Sequence, residues 1–278
     1  GLVLDPFDDR VLYLGLGYRP SSDGTTTVRK VVWPGDIYRS TDKGEGWRKV
    51  GKLPDDSKIY QLMHSPGERG VLYAATSAGL YISRSEGKSW VRMLDKETLN
   101  LLLFPGQPKT IVAACGRDGV YVSTDAGANW TAKNTGLDFN FHRSGPDRYS
   151  VLASDPKEKN RWYVLNSTWG RAGGLYVTDD GANRWRLLTA DLPESWLKTS
   201  RRVNTLAINP DKPRTIFLGS SRYVYRSDNS GQQWEQLISR RVGKGWTHRG
   251  LNVFGHAREV AVAPDNPDHM YIATADHG

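Results

Sequence analysis

Arginines and aromatic residues occur together in long polar insertions, which cover residues 15–35, 133–149, 166–174, 189–202 and 238–258. An arginine guanidinium grips carboxylate, sulfate or phosphate through paired hydrogen bonds, and a neighbouring aromatic ring stacks on a sugar or a base. These insertions, with one short loop, therefore predict a surface that binds an acidic ligand. Its candidate residues are Arg143, Trp169, Arg171, Trp196, Arg201, Arg202, Arg222, Arg240, Arg241, Trp246 and His248.

Carboxylates near these insertions offer a second chemistry. Hydrolysis of a glycosidic bond uses two carboxyl groups about 5 to 10 Å apart. No spacing singles out such a pair, so no catalytic residue is assigned. The histidines of the insertions show no spacing typical of metal ligands, and we predict neither a metal nor another cofactor. The candidate carboxylates are Asp138, Asp147, Glu194 and Asp276, with Glu259 at the border.

The formal charge of +8 comes from bases that are spread along the chain. It is compatible with a polyanionic partner, but no basic tract and no known nucleic-acid-binding module is present, so nucleic acid is the least favoured partner. The single cysteine, Cys115, excludes an intrachain disulfide. No apolar run has the length of a membrane-spanning segment.

The elements that would position these residues follow from a repeated turn, Ser/Thr-x-Asp-x-Gly-x-x-Trp. The hydroxyl and the carboxylate can bond the backbone of their own turn, glycine accepts a positive φ, and tryptophan packs on neighbouring strands. We call these the Trp-ending turns. Their residues are Ser40, Asp42, Gly44 and Trp47; Ser83, Gly87 and Trp90; Ser123, Asp125, Gly127 and Trp130; Thr178, Asp180 and Trp185; and Ser227, Asn229, Gly231 and Trp234.

A second repeated turn, usually with proline, separates two apolar runs upstream of each Trp-ending turn. Each repeat then reads as four short antiparallel strands every 40 to 55 residues, which is typical of a β-propeller blade. We predict an all-β fold and a single domain over residues 1–278, with five complete blades and a partial sixth. We also expect a longer natural protein of six or seven blades, because an open sheet edge is a liability. The approximate blades are 1–58, 59–98, 99–145, 146–200, 201–250 and 251–278.

The topology of such a blade divides the loops between two ends. Strands one and three run in the same direction, so the connections from strand two to three, and from strand four to the next blade, share one end, the loop end. The proline turns and the Trp-ending turns share the opposite turn end. All the long insertions fall at the loop end, where function is usually located. For any single residue the alternative is that an arginine and a ring fold the loop onto its own blade.

The Trp-ending turns resemble the Asp-box, or BNR, repeats of sialidases. With the proline turns they are also similar to xyloglucanase-type glycoside hydrolases, sortilin-type receptors and photosystem II assembly-factor propellers. The resemblance implies that Asp42, Asp125 and Asp180 hold turns and do not catalyse. The enzymatic motifs of these families do not match: residues 18–20, Tyr-Arg-Pro, lack the isoleucine of the sialidase motif, and no Asp-x-Gly-Gly is present.

Together these observations favour a non-catalytic binding or scaffolding propeller. It would be secreted, periplasmic or on the cell surface, and would recognise an acidic glycan or a partner protein through its loop end, within a larger chain or assembly. The alternative is a glycoside hydrolase, sialidase-like or xyloglucanase-like, with a carboxylate pair at the same end. A nucleic-acid reader is the third hypothesis.

Overall fold

The computed structural model describes residues 1–16, 35–54, 57–139, 149–166, 174–189, 203–220, 223–241, 245–248, 251–253, 256–263 and 269–275. This part of the chain is built from β-strands joined by turns. Among the residues so described, no helix has the length and apolar character needed to cross a membrane.

Neighbouring strands within each sheet are antiparallel and follow one another along the chain. Blade 1 contains β1 (Leu2–Asp5), β2 (Asp8–Gly15), β3 (Asp36–Ser40) and β4 (Arg48–Lys52), and blade 2 contains β5 (Ile59–His64), β6 (Leu72–Thr76), β7 (Gly79–Ser83) and β8 (Val91–Leu94). Blade 3 contains β9 (Asn100–Leu103), β10 (Ile111–Ala114), β11 (Val120–Ser123) and β12 (Thr131–Ala132), and blade 4 contains β13 (Tyr149–Ser154), β14 (Trp162–Asn166), β15 (Gly174–Thr178) and β16 (Arg186–Leu187). Blade 5 contains β17 (Val203–Ile208), β18 (Ile216–Ser220), β19 (Tyr223–Ser227) and β20 (Glu235–Arg241).

Blade 5 differs from the expected four strands. Strands β21 (Gly245–His248) and β22 (Leu251–Val253) extend its sheet to six, and β23 (His256–Val262) and β24 (Met270–Ala275) form a further two-stranded sheet. Arg240 pairs with Trp246, and Trp246 pairs in turn with Val253. The predicted insertion 238–258 is therefore largely strand, because β21 pairs with β20 and β22 pairs with β21.

A one-residue shift in register recurs near the loop end, where the first strand of a blade meets the second. The residues passed over are Tyr60, Ser150, Asn204 and Arg258. A shift of this kind is a β-bulge, which turns a side chain away from the regular alternation of the strand. Such a shift is present at the loop end of blades 2, 4 and 5 and of the two-stranded sheet.

The chain divides into two compact units, residues 1–115 with 121–131, and residues 116–120 with 132–278. In the first unit, Tyr13 and Ile37 of blade 1 share a core with Leu72 of blade 2. In the second unit, Leu165 of blade 4 shares one with Leu218 of blade 5. The central strands β6, β7, β14, β15 and β18 are buried at every position. The sequences of these strands are mostly apolar without alternation, because other parts of the protein cover both faces of the sheet at these strands.

The five Trp-ending turns share a hydrogen bond from a backbone N–H to the side-chain hydroxyl four residues earlier. In the third turn, Ser123 Oγ accepts from Gly127 N at 2.8 Å and donates to Asp125 Oδ1 at 2.8 Å. The Asp125 carboxylate accepts from Asn129 N at 2.9 Å, and Trp130 Nε1 donates to Gly127 O at 3.1 Å. Asn229 replaces the aspartate in the fifth turn and still accepts from Gln233 N at 2.8 Å. The third strand of each blade therefore ends in a turn whose side chains accept hydrogen bonds from the N–H groups of the same turn.

The fourth Trp-ending turn departs from the others in two ways. Ala182 stands at φ 69° in the place that glycine takes elsewhere, and it is completely buried. Its N–H still donates to Thr178 Oγ1 at 3.0 Å. The indole of Trp185 donates to Lys133 O at 2.8 Å and not to its own turn. The hydroxyl-to-backbone bond is thus common to all five turns, whereas the tryptophan bond is not.

The proline turns are closed by a side-chain oxygen from the end of strand one. Asp155 Oδ1 accepts from Lys157 N at 2.8 Å and from Glu158 N at 3.1 Å. Asn209 Oδ1 accepts in the same way from Asp211 N and Lys212 N, at 3.0 and 2.9 Å. Such side chains mimic a backbone turn, which explains the short and regular turn end.

Candidate functional site

The residues predicted to bind ligand fall mostly outside the part of the chain that the structure describes. This holds for Arg143, Trp169, Arg171, Trp196, Arg201, Arg202 and Arg222, and for the carboxylates Asp147, Glu194 and Asp276. Arg240 and Arg241 lie in β20, and Trp246 and His248 lie in β21, so these four belong to strands and not to loops. Glu259, expected at the border of this end in a first strand, lies in β23. The arginine-rich binding surface remains a prediction.

Asp138 is the predicted carboxylate that the structure does describe at the loop end. Its side chain is exposed, and its backbone carbonyl accepts a hydrogen bond of 2.7 Å from the hydroxyl of Tyr149. The ring of Tyr149 is completely buried and packs edge-on against Tyr176, with the ring centroids 5.9 Å apart. The backbone of a residue with an exposed carboxylate is therefore held by a buried tyrosine.

Phe139 follows Asp138 and adds an aromatic surface. Its ring lies 5.6 Å from that of Tyr149 and keeps 39% of its surface exposed. An open ring of this kind can stack on the C–H face of a sugar while the adjacent carboxylate accepts from sugar hydroxyls. The pair is suited to a carbohydrate.

Burial raises the pKa of the Tyr149 phenol above its usual value, and the neighbouring Tyr176 adds to the effect. Burial also raises the pKa of Tyr176. Both phenols therefore keep their protons over the range in which proteins work. Tyr149 can then act as a permanent hydrogen-bond donor to the chain at Asp138.

The segment that leads to Asp138 is fixed from two sides. Asn134 Oδ1 accepts from Val120 N at 2.8 Å, and Thr135 O accepts from Trp185 N at 2.8 Å. Gly136 has φ 90°, and a Cβ at this position would lie 2.1 Å from Trp185 O. Only glycine fits here, because both the conformation and the space exclude a side chain. The backbone of residues 134–136, which precedes Asp138, is thus held in place by hydrogen bonds and by close packing against Trp185.

The first unit places another carboxylate and aromatic ring together at its loop end, and the sequence analysis did not predict them. Tyr60 Oη donates to Glu97 Oε1 at 2.7 Å, and Lys58 Nζ lies 5.0 Å from the centre of the Tyr60 ring. Tyr60 and Glu97, which share this hydrogen bond, are 37 residues apart in the sequence. No residue type indicates this pairing, because it depends on the bulge at Tyr60, which only the register of β5 and β6 shows.

The aspartates of the turn end are engaged differently. Hydrogen bonds from the backbone and side chain of Asn129 lower the pKa of Asp125 to about 2. A hydrogen bond from Ser40 likewise lowers the pKa of Asp42, and one from Thr178 lowers that of Asp180. These carboxylates remain ionised and are used as acceptors within their own turns. Across the described ranges, no group of three or more histidine, cysteine or acidic residues could hold a metal ion.

The chain belongs to the family of the DUF6242 beta propeller domain, whose model matches residues 33–277. Together with the sheets described above, this confirms the prediction of an all-β propeller with antiparallel four-stranded blades, about five to six in number.

Several curated relatives are enzymes. The chain is 32% identical over 184 residues to a probable oligoxyloglucan-reducing end-specific xyloglucanase of Neosartorya fischeri, a match that covers 62% of this chain and 21% of that protein. It is 24% identical over 289 residues to xyloglucanase Xgh74A of Acetivibrio thermocellus, which covers 85% of this chain and 32% of that protein. The chain thus spans between a fifth and a third of the length of these relatives.

Solved structures of GH74 enzymes share the fold. The GH74 enzyme of Niastella koreensis superimposes with a TM-score of 0.70 at 20% identity, covering 99% of this chain and 43% of that one. The GH74 xyloglucanase of Xanthomonas campestris gives a TM-score of 0.69 at 18% identity, with the same coverage. At this level of identity the similarity concerns the fold.

These relatives contradict the interpretation of the chain as a non-catalytic binding or scaffolding propeller. The curated relatives are named as xyloglucanases, which are glycoside hydrolases, and they match up to 95% of the chain. That interpretation was wrong because it treated the absence of short catalytic motifs as the absence of catalysis. The glycoside hydrolase alternative is the better supported one.

Proposed function

We propose that this chain is a propeller domain of a glycoside hydrolase that cleaves a polysaccharide of the xyloglucan type. The observation that carries the proposal is the similarity to named xyloglucanases. One of them, from a Paenibacillus species, is 23% identical over 282 residues, which cover 95% of this chain and 22% of that protein. A polysaccharide is too large to cross a membrane, so we also propose an extracellular or cell-surface location for the protein.

The loop end of the second unit supports this activity. Asp138 is an exposed carboxylate whose backbone is anchored by Tyr149, and Phe139 presents an open ring beside it. In glycoside hydrolysis one carboxylic acid protonates the leaving oxygen, while a second carboxylate attacks the sugar or activates a water. We propose Asp138 as one carboxylate of the site. Candidates for the other include Asp147, Glu194 and Asp276.

The Trp-ending turns belong to the scaffold in this proposal, as in Asp-box repeats. The carboxylates of Asp42, Asp125 and Asp180 each accept a hydrogen bond from a hydroxyl two residues earlier. They also lie at the turn end, whereas Asp138 lies at the loop end. Their role is to close turns that keep the blade strands in register.

The test is hydrolysis of xyloglucan by the protein at its natural length. The release of reducing ends measures the reaction. Asp138→Asn keeps the shape of the side chain and removes its charge and its acid–base function, so we expect a loss of at least about a hundredfold in kcat/KM. Asp211→Asn is the matched control, because Asp211 is an exposed aspartate of a proline turn in the same unit. Equal activity of both variants would remove Asp138 from the site. Absence of any hydrolysis by the unchanged protein would refute the activity itself.

A further inference from the structure

We infer that Lys58, Tyr60 and Glu97 form a sugar-binding subsite at the loop end of the first unit, which takes a neutral pyranose of the polysaccharide chain. This inference rests on the proposed function, and it concerns residues that neither the sequence motifs nor the relatives assign. We call these three residues the blade 2 subsite.

The bulge in β5 explains how Tyr60 reaches this position. The pairing of β5 with β6 passes from Ile59 to Gln61, so Tyr60 stands outside the regular ladder. Ile59 is buried in the core of the first unit, whereas Tyr60 is half-buried at the loop end. Bulges next to functional sites commonly re-aim one side chain in this way.

Glu97 is held in place by the residues around it. Its carboxylate accepts from Tyr60 Oη at 2.7 Å. The next residue, Thr98, is completely buried, and its backbone N–H donates to Thr76 O at 2.9 Å. Thr98 Oγ1 also donates to Lys96 O at 2.9 Å. The carboxylate is half-buried and remains accessible from solvent, and its position is set before any ligand arrives.

Lys58 completes the subsite from a third direction. Its backbone is fixed at both groups, because Lys58 N donates to Ser77 Oγ and Ser77 N donates to Lys58 O, each at 3.0 Å. Its ammonium lies 5.0 Å from the centre of the Tyr60 ring, within the range of a cation–π contact. The three side chains thus come from backbone segments that are hydrogen-bonded to one another.

The chemistry of the subsite fits a neutral sugar. It offers a carboxylate as acceptor, an ammonium as donor, and a phenol ring between them, and sugar hydroxyls can donate to the first and accept from the second. Among these three described residues, the charges of Lys58 and Glu97 cancel, so the three together do not favour an anion. A uronic acid would moreover place its carboxylate near Glu97, which costs free energy. An uncharged pyranose meets neither problem.

The experiment compares Glu97→Gln and Tyr60→Phe with the unchanged protein on xyloglucan oligosaccharides of increasing length. Both variants keep the size of the side chain. We expect Glu97→Gln to raise KM about tenfold for long oligosaccharides at unchanged kcat, as expected for a group that contributes equally to ground-state and transition-state binding. Tyr60→Phe should give a smaller rise. Oligosaccharides too short to reach the subsite should show no change.

Glu68→Gln is the matched control, because Glu68 belongs to the same blade but pairs with Arg84 at the turn end, at 2.7 Å. We expect its KM to equal that of the unchanged protein. An unchanged KM of Glu97→Gln at every length would overturn the subsite while leaving the proposed hydrolysis intact. Calorimetric titration with the same oligosaccharides reports binding without cleavage, so it tests the subsite even if no hydrolysis occurs. If Glu97→Gln and Tyr60→Phe bound these oligosaccharides as tightly as the unchanged protein in the titration, the subsite would also be overturned.

Discussion

The hydroxyl of Tyr149 donates to the backbone carbonyl of Asp138 at 2.7 Å, from a ring that is completely buried. This bond connects the core of blade 4 to the candidate carboxylate at its loop end. A buried phenol with a raised pKa remains a donor, so the connection does not depend on pH in the physiological range. The position of Asp138 is thus a consequence of core packing and not of the loop alone.

Tyr149→Phe should therefore lower activity more than stability. The substitution removes the hydrogen bond to Asp138 O, worth about 1 kcal/mol of folding free energy, together with the contacts of the hydroxyl with Tyr176 and Asn166, and leaves the ring in place. We expect a drop of about tenfold in kcat/KM, because a misplaced catalytic group is costly. The measurement pairs xyloglucan hydrolysis with thermal unfolding.

The control for this substitution is Tyr13→Phe. The Tyr13 hydroxyl is buried without a hydrogen-bond partner among the described residues, and the Arg39 guanidinium lies over its ring at 5.7 Å. Removing an unpaired buried hydroxyl should leave stability unchanged or slightly higher, and activity should not move. Equal losses of activity in both variants would mean that Tyr149 has no positioning role.

Gly136→Ala should be among the most damaging small substitutions in the second unit. Its Cβ would lie 2.1 Å from Trp185 O, and the φ of 90° is itself unfavourable for alanine. Strain and overpacking together should cost about 2 to 4 kcal/mol of unfolding free energy. Urea denaturation measures this cost.

Gly106→Ala separates the two causes of that loss. Gly106 has a similar φ of 80°, but a Cβ there would meet nothing within 4 Å. Only the conformational strain applies, and we expect a loss of about 1 kcal/mol. A Gly136→Ala variant no less stable than Gly106→Ala would contradict the close approach to Trp185.

The sequence predicted the features that depend on local chemistry and missed those that depend on register. In the Trp-ending turns, the hydroxyl, the carboxylate and their backbone partners are two to four residues apart, as in Ser123, Asp125 and Gly127. The hydrogen bond from Tyr60 to Glu97 joins residues 37 positions apart in the sequence, and it depends on a β-bulge that no residue type predicts. The strands β21 and β22 were missed because runs of four and three residues are too short to show alternation.

Protonation of Asp125 in acid should lower the free energy of unfolding. Hydrogen bonds from Asn129 lower its pKa to about 2, below the usual value of 3.8, so the folded state binds the proton less readily than the unfolded state. Its contribution to stability is therefore complete above about pH 5 and is lost as the pH falls towards 2. Asp125→Asn should flatten the dependence of unfolding free energy on pH within this window.

Urea titrations between pH 2 and pH 5 provide the measurement. The natural asparagine of the fifth turn, Asn229, shows that an amide oxygen accepts the same backbone bond, so the variant turn should still close. Above pH 5 the two proteins should differ by a constant amount. The same slope for both proteins between pH 4 and pH 2 would show that Asp125 does not titrate with a lowered pKa.

Thr178→Val tests the bond that all five Trp-ending turns share. Thr178 Oγ1 accepts from the N–H of the buried Ala182 at 3.0 Å, and valine has nearly the same shape without the acceptor. Leaving this donor unpaired should cost about 1 to 3 kcal/mol, measured by urea denaturation. Thr178→Ser keeps the hydroxyl and loses one methyl group, so it should cost about 1 kcal/mol at most. If Thr178→Val were as stable as the unchanged protein, this turn would not require the hydroxyl, and the common hydrogen bond would not be the reason for the repeated Ser or Thr.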